Sequence, residues 1–266
     1  MSKNKPILGT CCVCRKEGKI NFEHVPPKSC GNTQTRFTKS SIRDIFIPEN
    51  SKQKQRIIQG GLGYYSFCES CNNQFGSWYV KEYSEFYKTA IKVLKIKTLN
   101  KSALVYPFEI YPLRIIKQVV CMFLAINHDS NFNFEKGILN EFVLDKEKTG
   151  LPSQFKIFSF FNLGGKPRIL PFTIHANIDT LKVDDFSFSY SLYSEMAFPP
   201  FGFVLAYNSK KPDERLVDIT YFVDYKYSTK ESIMMALPIL PTHTKYPCTY
   251  KTKGEIEKAS RPKFLD

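Results

Sequence analysis

No apolar run in this chain of 266 residues reaches the length of a membrane-spanning helix, which needs roughly 18 apolar residues in a row. Its two most apolar stretches, 115–126 and 198–207, fit a core helix and a buried strand, so a soluble protein with no membrane partner is expected. The chain opens on the polar Met1-Ser2-Lys3-Asn4-Lys5-Pro6, so no secretory leader is expected. The cysteines therefore do not read as a secreted disulfide framework. Thiols kept reduced in a cytoplasmic protein, and free to take a metal, are expected instead. There is no internal repeat of fixed period. Acidic residues are scarce in the first part of the chain: through Lys101 it has 7 of its 25 Asp and Glu but 18 of its 38 Lys and Arg, leaving 18 and 20 for the remainder. The basic excess belongs to the first part, and a phosphate backbone is its simplest partner. A solvated basic face accounts for the charge alone equally well.

What the chain does have is cysteine in a pattern. The eight cysteines stand at 11, 12, 14, 30, 68, 71, 121 and 248, and six of them fall within the first 71 residues. Cys11-x-x-Cys14 and Cys68-x-x-Cys71 are two knuckle spacings, each able to give two thiolates to a tetrahedral zinc ion. Cys11, Cys14, Cys68 and Cys71 are thus the expected ligands. Cys12 is too close to Cys14 for a knuckle, Cys30 is a substitute ligand, and Cys121 and Cys248 read as packing or surface residues. Between the knuckles lies Phe22-Glu23-His24-Val25-Pro26-Pro27, and Asn72-Asn73 follow the second.

The organisation suggests two domains, 1–101 and 102–266. In the first, Lys19 to Val25 alternates as a strand stopped by Pro26-Pro27, and Tyr64 to Phe67 form a strand delivering Cys68. Between them runs a polar segment, 28–59, long enough to be a binding loop. Tyr83, Phe86, Tyr87, Ala90, Ile91 and Leu94 recur at helical spacing and predict a helix over 74–96. Lys81, Lys88, Lys92 and Lys95 share its opposite face. In the second domain, Pro112 opens a helix ending at Asn127-His128-Asp129. Short aromatic and β-branched runs then predict strands near 155–160, 172–178, 186–193, 202–207 and 215–225. The fold expected is α+β: a zinc-braced first domain, then a mainly antiparallel β domain with one packed helix.

Cys11-x-x-Cys14, Glu23-His24-Val25-Pro26-Pro27 and Cys68-Glu69-Ser70-Cys71-Asn72-Asn73-Gln74-Phe75-Gly76 together resemble the zinc-braced HNH endonucleases, whose core is a ββα-metal unit. The resemblance covers the first 80 to 95 residues. It implies a structural zinc on the four cysteines and His24 as the general base that deprotonates the attacking water. It also implies Glu23 and Asn72 as ligands of one catalytic cation, Mg²⁺ or Mn²⁺. The family's third helix position falls on Asn73 or Gln74. A neutral imidazole with a pKa of about 6.5 suits a base at physiological pH, and oxygen donors suit a hard cation.

The implied activity is metal-dependent hydrolysis of DNA phosphodiesters, with DNA or RNA left open, in a bacterial or phage defence or restriction setting. Lys28, Arg36 and the four helix lysines would contact the backbone. The second domain would serve target choice, oligomerisation or a protein contact. Two other classes compete: a non-catalytic zinc-ribbon module that binds nucleic acid, and an effector controlled by a ligand or protein through its C-terminal domain. His128, His175 and His243 carry no comparable context.

Overall fold

A computed structural model describes residues 6–33, 37–39, 56–58, 60–97, 103–129, 137–163, 167–176, 190–242, 248–252 and 254–255. Among them the chain is mixed α+β, with antiparallel sheets and few helices. Strands β1 (Leu8–Thr10), β2 (Glu17–His24), β3 (Phe37–Lys39), β4 (Arg56–Ile58) and β5 (Gly63–Cys68) precede helices α1 (Glu69–Phe75) and α2 (Lys81–Lys97). Strand β6 (Ala103–Ile110), helix α3 (Pro112–Ile126) and helix α4 (Ile138–Leu144) follow. The remainder is β7 (Phe155–Phe161), β8 (Arg168–Ala176), β9 (Tyr190–Phe198), β10 (Phe201–Tyr207), β11 (Val217–Asp218) and β12 (Glu231–Pro238). No helix among the described residues is long and apolar enough to cross a membrane.

The chain makes two compact units that interleave along the sequence. One comprises Met1–Thr89, Phe108–Pro152 and Tyr221–Ile233, the other Ala90–Pro107, Ser153–Thr220 and Met234–Asp266. This differs from a single boundary at 101, for a physical reason. Strands β1, β2 and β5 form a sheet of only 3 strands, too small to bury its own apolar face. Helix α3 supplies the missing surface and packs on β5. It is apolar almost all round, and Leu113, Ile115, Ile116, Val119 and Val120 are fully buried, as befits a central helix.

In this first unit β2 runs antiparallel to β5, with Ile20 opposite Cys68 and His24 opposite Gly63. The expected helix starts earlier than 74. Cys68, in extended conformation, is the N-cap of α1, and a π turn, Gly76–Val80, continues α1 into α2. Phe67, Phe75 and Tyr79 pack ring on ring beneath it. The Arg114 guanidinium lies between the rings of Tyr111 and Tyr227, 4.1 and 4.2 Å from their centroids. Its Nε donates to the Tyr227 carbonyl at 2.9 Å, fastening segment 221–233 to this unit.

The second unit is built on a sheet of 5 strands in the order β11-β7-β10-β9-β8. Its central strand β10 places Val204 between Phe158 and Glu195. Gly202 is required there because a Cβ would lie 1.9 Å from the Phe160 ring. The fully buried Glu195 accepts from Arg168 at 2.6 Å and from the Cys248 N–H at 2.6 Å. The strand expected over 215–225 is only β11. The Asp218 carboxylate accepts the Thr220 N–H at 2.7 Å, and Thr220 Oγ1 accepts the Ile157 N–H, so the chain turns into a 3₁₀ segment, Thr220–Asp224. Strands β6 and β12 pair as a separate ribbon. Inside the polar stretch 28–59, β3 and β4 also pair antiparallel.

Candidate metal centre and active site

The first knuckle is a turn before β2. The Cys11 N–H donates to the Lys16 carbonyl at 2.9 Å and the Arg15 N–H to the Cys11 carbonyl at 3.0 Å, with Arg15 in the left-handed region at φ 61°. The Cys12 N–H donates to the Ser66 carbonyl at 2.9 Å. That bond ties the turn to β5, the strand that ends at Cys68. Cys71 then sits in the first turn of α1, where backbone N–H groups favour thiolates.

As a result the sulfurs of Cys11, Cys14, Cys68 and Cys71 all lie within 4.8 Å of one another. Cys14 and Cys68 are 3.7 Å apart. A tetrahedron with Zn–S bonds of about 2.3 Å has an edge of roughly 3.8 Å, so the four cysteines could hold a zinc ion. A hydrogen bond from Cys71 draws the Cys11 thiol down to about 4, and the same bond pushes the Cys71 thiol well up. Burial raises Cys14. A dication at their centre would stabilise the thiolate form of all four. Among the described residues this is the one metal-ligating group of three or more His, Cys, Asp or Glu side chains. Cys30 is outside it, buried with its sulfur 4.0 Å from Ser84 Oγ.

His24 ends β2. Its Nε2 lies 3.1 Å from the Gly60 carbonyl, and a carbonyl only accepts. Nε2 therefore carries the hydrogen, and the lone pair of the neutral ring is on Nδ1. Burial lowers the His24 pKa, partly offset by the Gly60 carbonyl, and Lys28 lowers it further. The ring packs edge-on against Phe22, centroids 4.9 Å apart.

Glu23 leaves the strand on the other face, since side chains alternate. It stands opposite Tyr64, whose ring packs against His128, and its charge acts on Cys12 and Cys121. The two residues therefore do not form a joint chelate. Glu23 is 9% exposed and accepts no hydrogen bond from a described residue. Burial raises its pKa to about 7. Asn72 and Gln74 are half-buried on α1 and Asn73 is exposed. No hydrogen bond joins Asn72 to Glu23 or His24 among the described residues.

Lys28, Lys81, Lys88, Lys92 and Lys95 are all exposed. Lys88 pairs with Glu85 at 2.8 Å. Arg36 and His243 lie outside the described residues, and His175 falls within β8.

One further residue shapes the site. Asn32 is fully buried in this unit, and its Nδ2 donates to the Pro26 carbonyl at 2.6 Å and the Leu62 carbonyl at 2.8 Å. Its Oδ1 accepts the Leu62 N–H at 2.7 Å. It thereby clamps the residues after His24 to the loop that presents the Gly60 carbonyl. Gly61, at φ +102°, fits because a Cβ would lie 2.3 Å from the Asn32 carbonyl oxygen. The glycine cluster 60–63 was a visible signal of this close approach. Asn32, one polar residue among many, gave none.

The chain matches no protein-family model, and no curated protein or solved structure matches it.

Proposed function

We propose that this chain is a metal-dependent endonuclease of the zinc-braced HNH type, with His24 as general base for phosphodiester hydrolysis in DNA. The observation that carries the reading is the His24–Gly60 hydrogen bond. It holds a neutral imidazole by one nitrogen and leaves the other free to accept a proton, at the end of a hairpin whose second strand runs into α1. The order β2, β5, α1, braced by four clustered cysteines, supports a ββα-metal core.

In this mechanism water attacks phosphorus as its proton passes to His24 Nδ1, and the 3′ oxygen leaves and takes a proton from solvent, giving 5′-phosphate and 3′-hydroxyl ends. The Gly60 carbonyl holds the ring and stabilises the imidazolium that forms. The four-cysteine centre has no open position and serves structure alone. The resemblance implies Glu23 and Asn72 as oxygen donors for a Mg²⁺ or Mn²⁺ ion, but Glu23, on the face of β2 away from His24, is not placed to bring that ion to the phosphate that His24 serves. A Mg²⁺ or Mn²⁺ ion beside the phosphate would neutralise the charge that develops on it. The exposed lysines of α2 and Lys28 would lie along the nucleic-acid backbone.

The test is a nicking assay on supercoiled plasmid with Mg²⁺, Mn²⁺ or EDTA, beside a single-stranded RNA of mixed sequence. Cation-dependent nicking of the plasmid supports the reading. Binding without cleavage under every cation would favour the non-catalytic zinc-ribbon module.

A further inference from the structure

We propose that Asn140 is a positioning residue for the Cys11–Cys14 turn, setting both the geometry of the four-cysteine centre and how firmly it keeps its metal. This rests on the four-cysteine centre and not on phosphodiester chemistry.

The two residues inside the knuckle are buried: Cys12 is 6% exposed and Val13 1%. Their carbonyls belong to the peptide units between the two ligands, so water is shut out from the groups that set the sulfur spacing. Asn140 Nδ2 supplies the missing donors, reaching the Cys12 carbonyl at 2.6 Å and the Val13 carbonyl at 2.9 Å. A carboxamide nitrogen has two hydrogens, one for each carbonyl. Without them two buried acceptors would be unsatisfied unless the turn moved, and the sulfurs with it.

Asn140 can hold the turn because α4 is itself held. The fully buried Lys117 donates from Nζ to the Phe142 carbonyl and, at 2.7 Å, to the Asp145 carbonyl. Tyr79 donates from its hydroxyl to the Val143 carbonyl at 2.8 Å. On its other side the turn hangs from β5 through the bond from Cys12 to Ser66. Outer partners that orient a ligand loop commonly govern metal retention.

The test uses the full-length chain, loaded with Zn²⁺ or Co²⁺. Asn140→Asp keeps the size but has no donor, and Asn140→Ser is a second variant should the first fail to fold. Tyr79→Phe is the control, since it loosens α4 without touching the turn. The readouts are zinc transfer to a chromogenic chelator in native buffer and the visible spectrum of the Co²⁺ form. We expect both Asn140 variants to release zinc about 10- to 100-fold faster and to shift the Co²⁺ bands. Tyr79→Phe should melt earlier yet match the wild type in both readouts. Wild-type release and spectrum in an Asn140 variant, whatever its thermal midpoint, would overturn the proposal, as would metal readouts that change equally in Tyr79→Phe. A wild-type chain that holds neither metal overturns the centre itself and this proposal with it.

Discussion

His24 and Gly60, 36 residues apart, are joined by a hydrogen bond of 3.1 Å between ring Nε2 and carbonyl oxygen. The loop that offers this carbonyl is held in turn by Asn32, which bonds both the N–H and the carbonyl of Leu62. The orientation of the proposed base thus depends on a buried amide.

Replacing Asn32 by Ala should therefore do two things. Loss of its hydrogen bonds leaves buried partners unsatisfied, at about 1–3 kcal/mol each before relaxation, which urea unfolding would register as a lower midpoint at unchanged slope. Cleavage should fall further than the folded fraction explains. A variant that loses stability but keeps the wild-type rate per folded molecule would separate Asn32 from His24.

Glu23 gives a pH dependence whose sign is fixed. Its folded pKa, about 7, lies above the ordinary value of 4.5, so the folded chain binds the proton more tightly. Stability should then decline as pH rises through that window, by up to roughly 1.4 kcal/mol per pH unit. Measured without added Mg²⁺ from about pH 5.5 to 7.5, where zinc remains bound to thiolates, Glu23→Gln should flatten this decline. Parallel wild-type and variant curves would show that the carboxyl is not held as described.

The cysteines divide into two sets. Cys14→Ser or Cys68→Ser should lower zinc below one per chain and destabilise the first unit, because each removes a ligand sulfur. Cys30→Ser should leave the zinc in place, since that sulfur faces Ser84. Elemental analysis of protein purified without chelator decides between them, and a metal-free wild type would contradict the centre.

How much of this was legible in the sequence depends on the range of the interaction. The alternation from Lys19 to Val25, the knuckle spacings and the Pro112 helix start are local signals, and β2, the cysteine cluster and α3 follow them. Strands β6 and β12 and helix α4 carry no comparable local signal. The burial pattern of α4 is set by neighbours remote in sequence: Lys117 and Tyr79 hold its carbonyls, and Asn140 reaches back to Cys12. The run 215–225 has strand-like composition, yet side-chain bonds at Asp218 and Thr220 turn it. Glu23 and His24 read as a pair from their adjacency, but strand alternation parts them, which spacing in a motif does not reveal.

The exposed stripe of Lys81, Lys88, Lys92 and Lys95 predicts a salt dependence. If each contacts a phosphate, log affinity for duplex DNA falls with log salt by about 0.9 per contact. Changing Lys92 and Lys95 to Gln should then lower the slope by roughly 1 to 2 on unrelated duplexes alike. An unchanged slope would leave the stripe a solvated face.

The most direct measurement compares wild type with His24→Ala in Mg²⁺-dependent plasmid nicking across pH. The wild-type rate should rise with pH through a midpoint below about 6.5, as burial dictates. His24→Ala should lose at least about 100-fold while keeping its zinc and its affinity for DNA. Wild-type nicking by His24→Ala, in a preparation free of other nucleases, would contradict the assignment of His24 as the base.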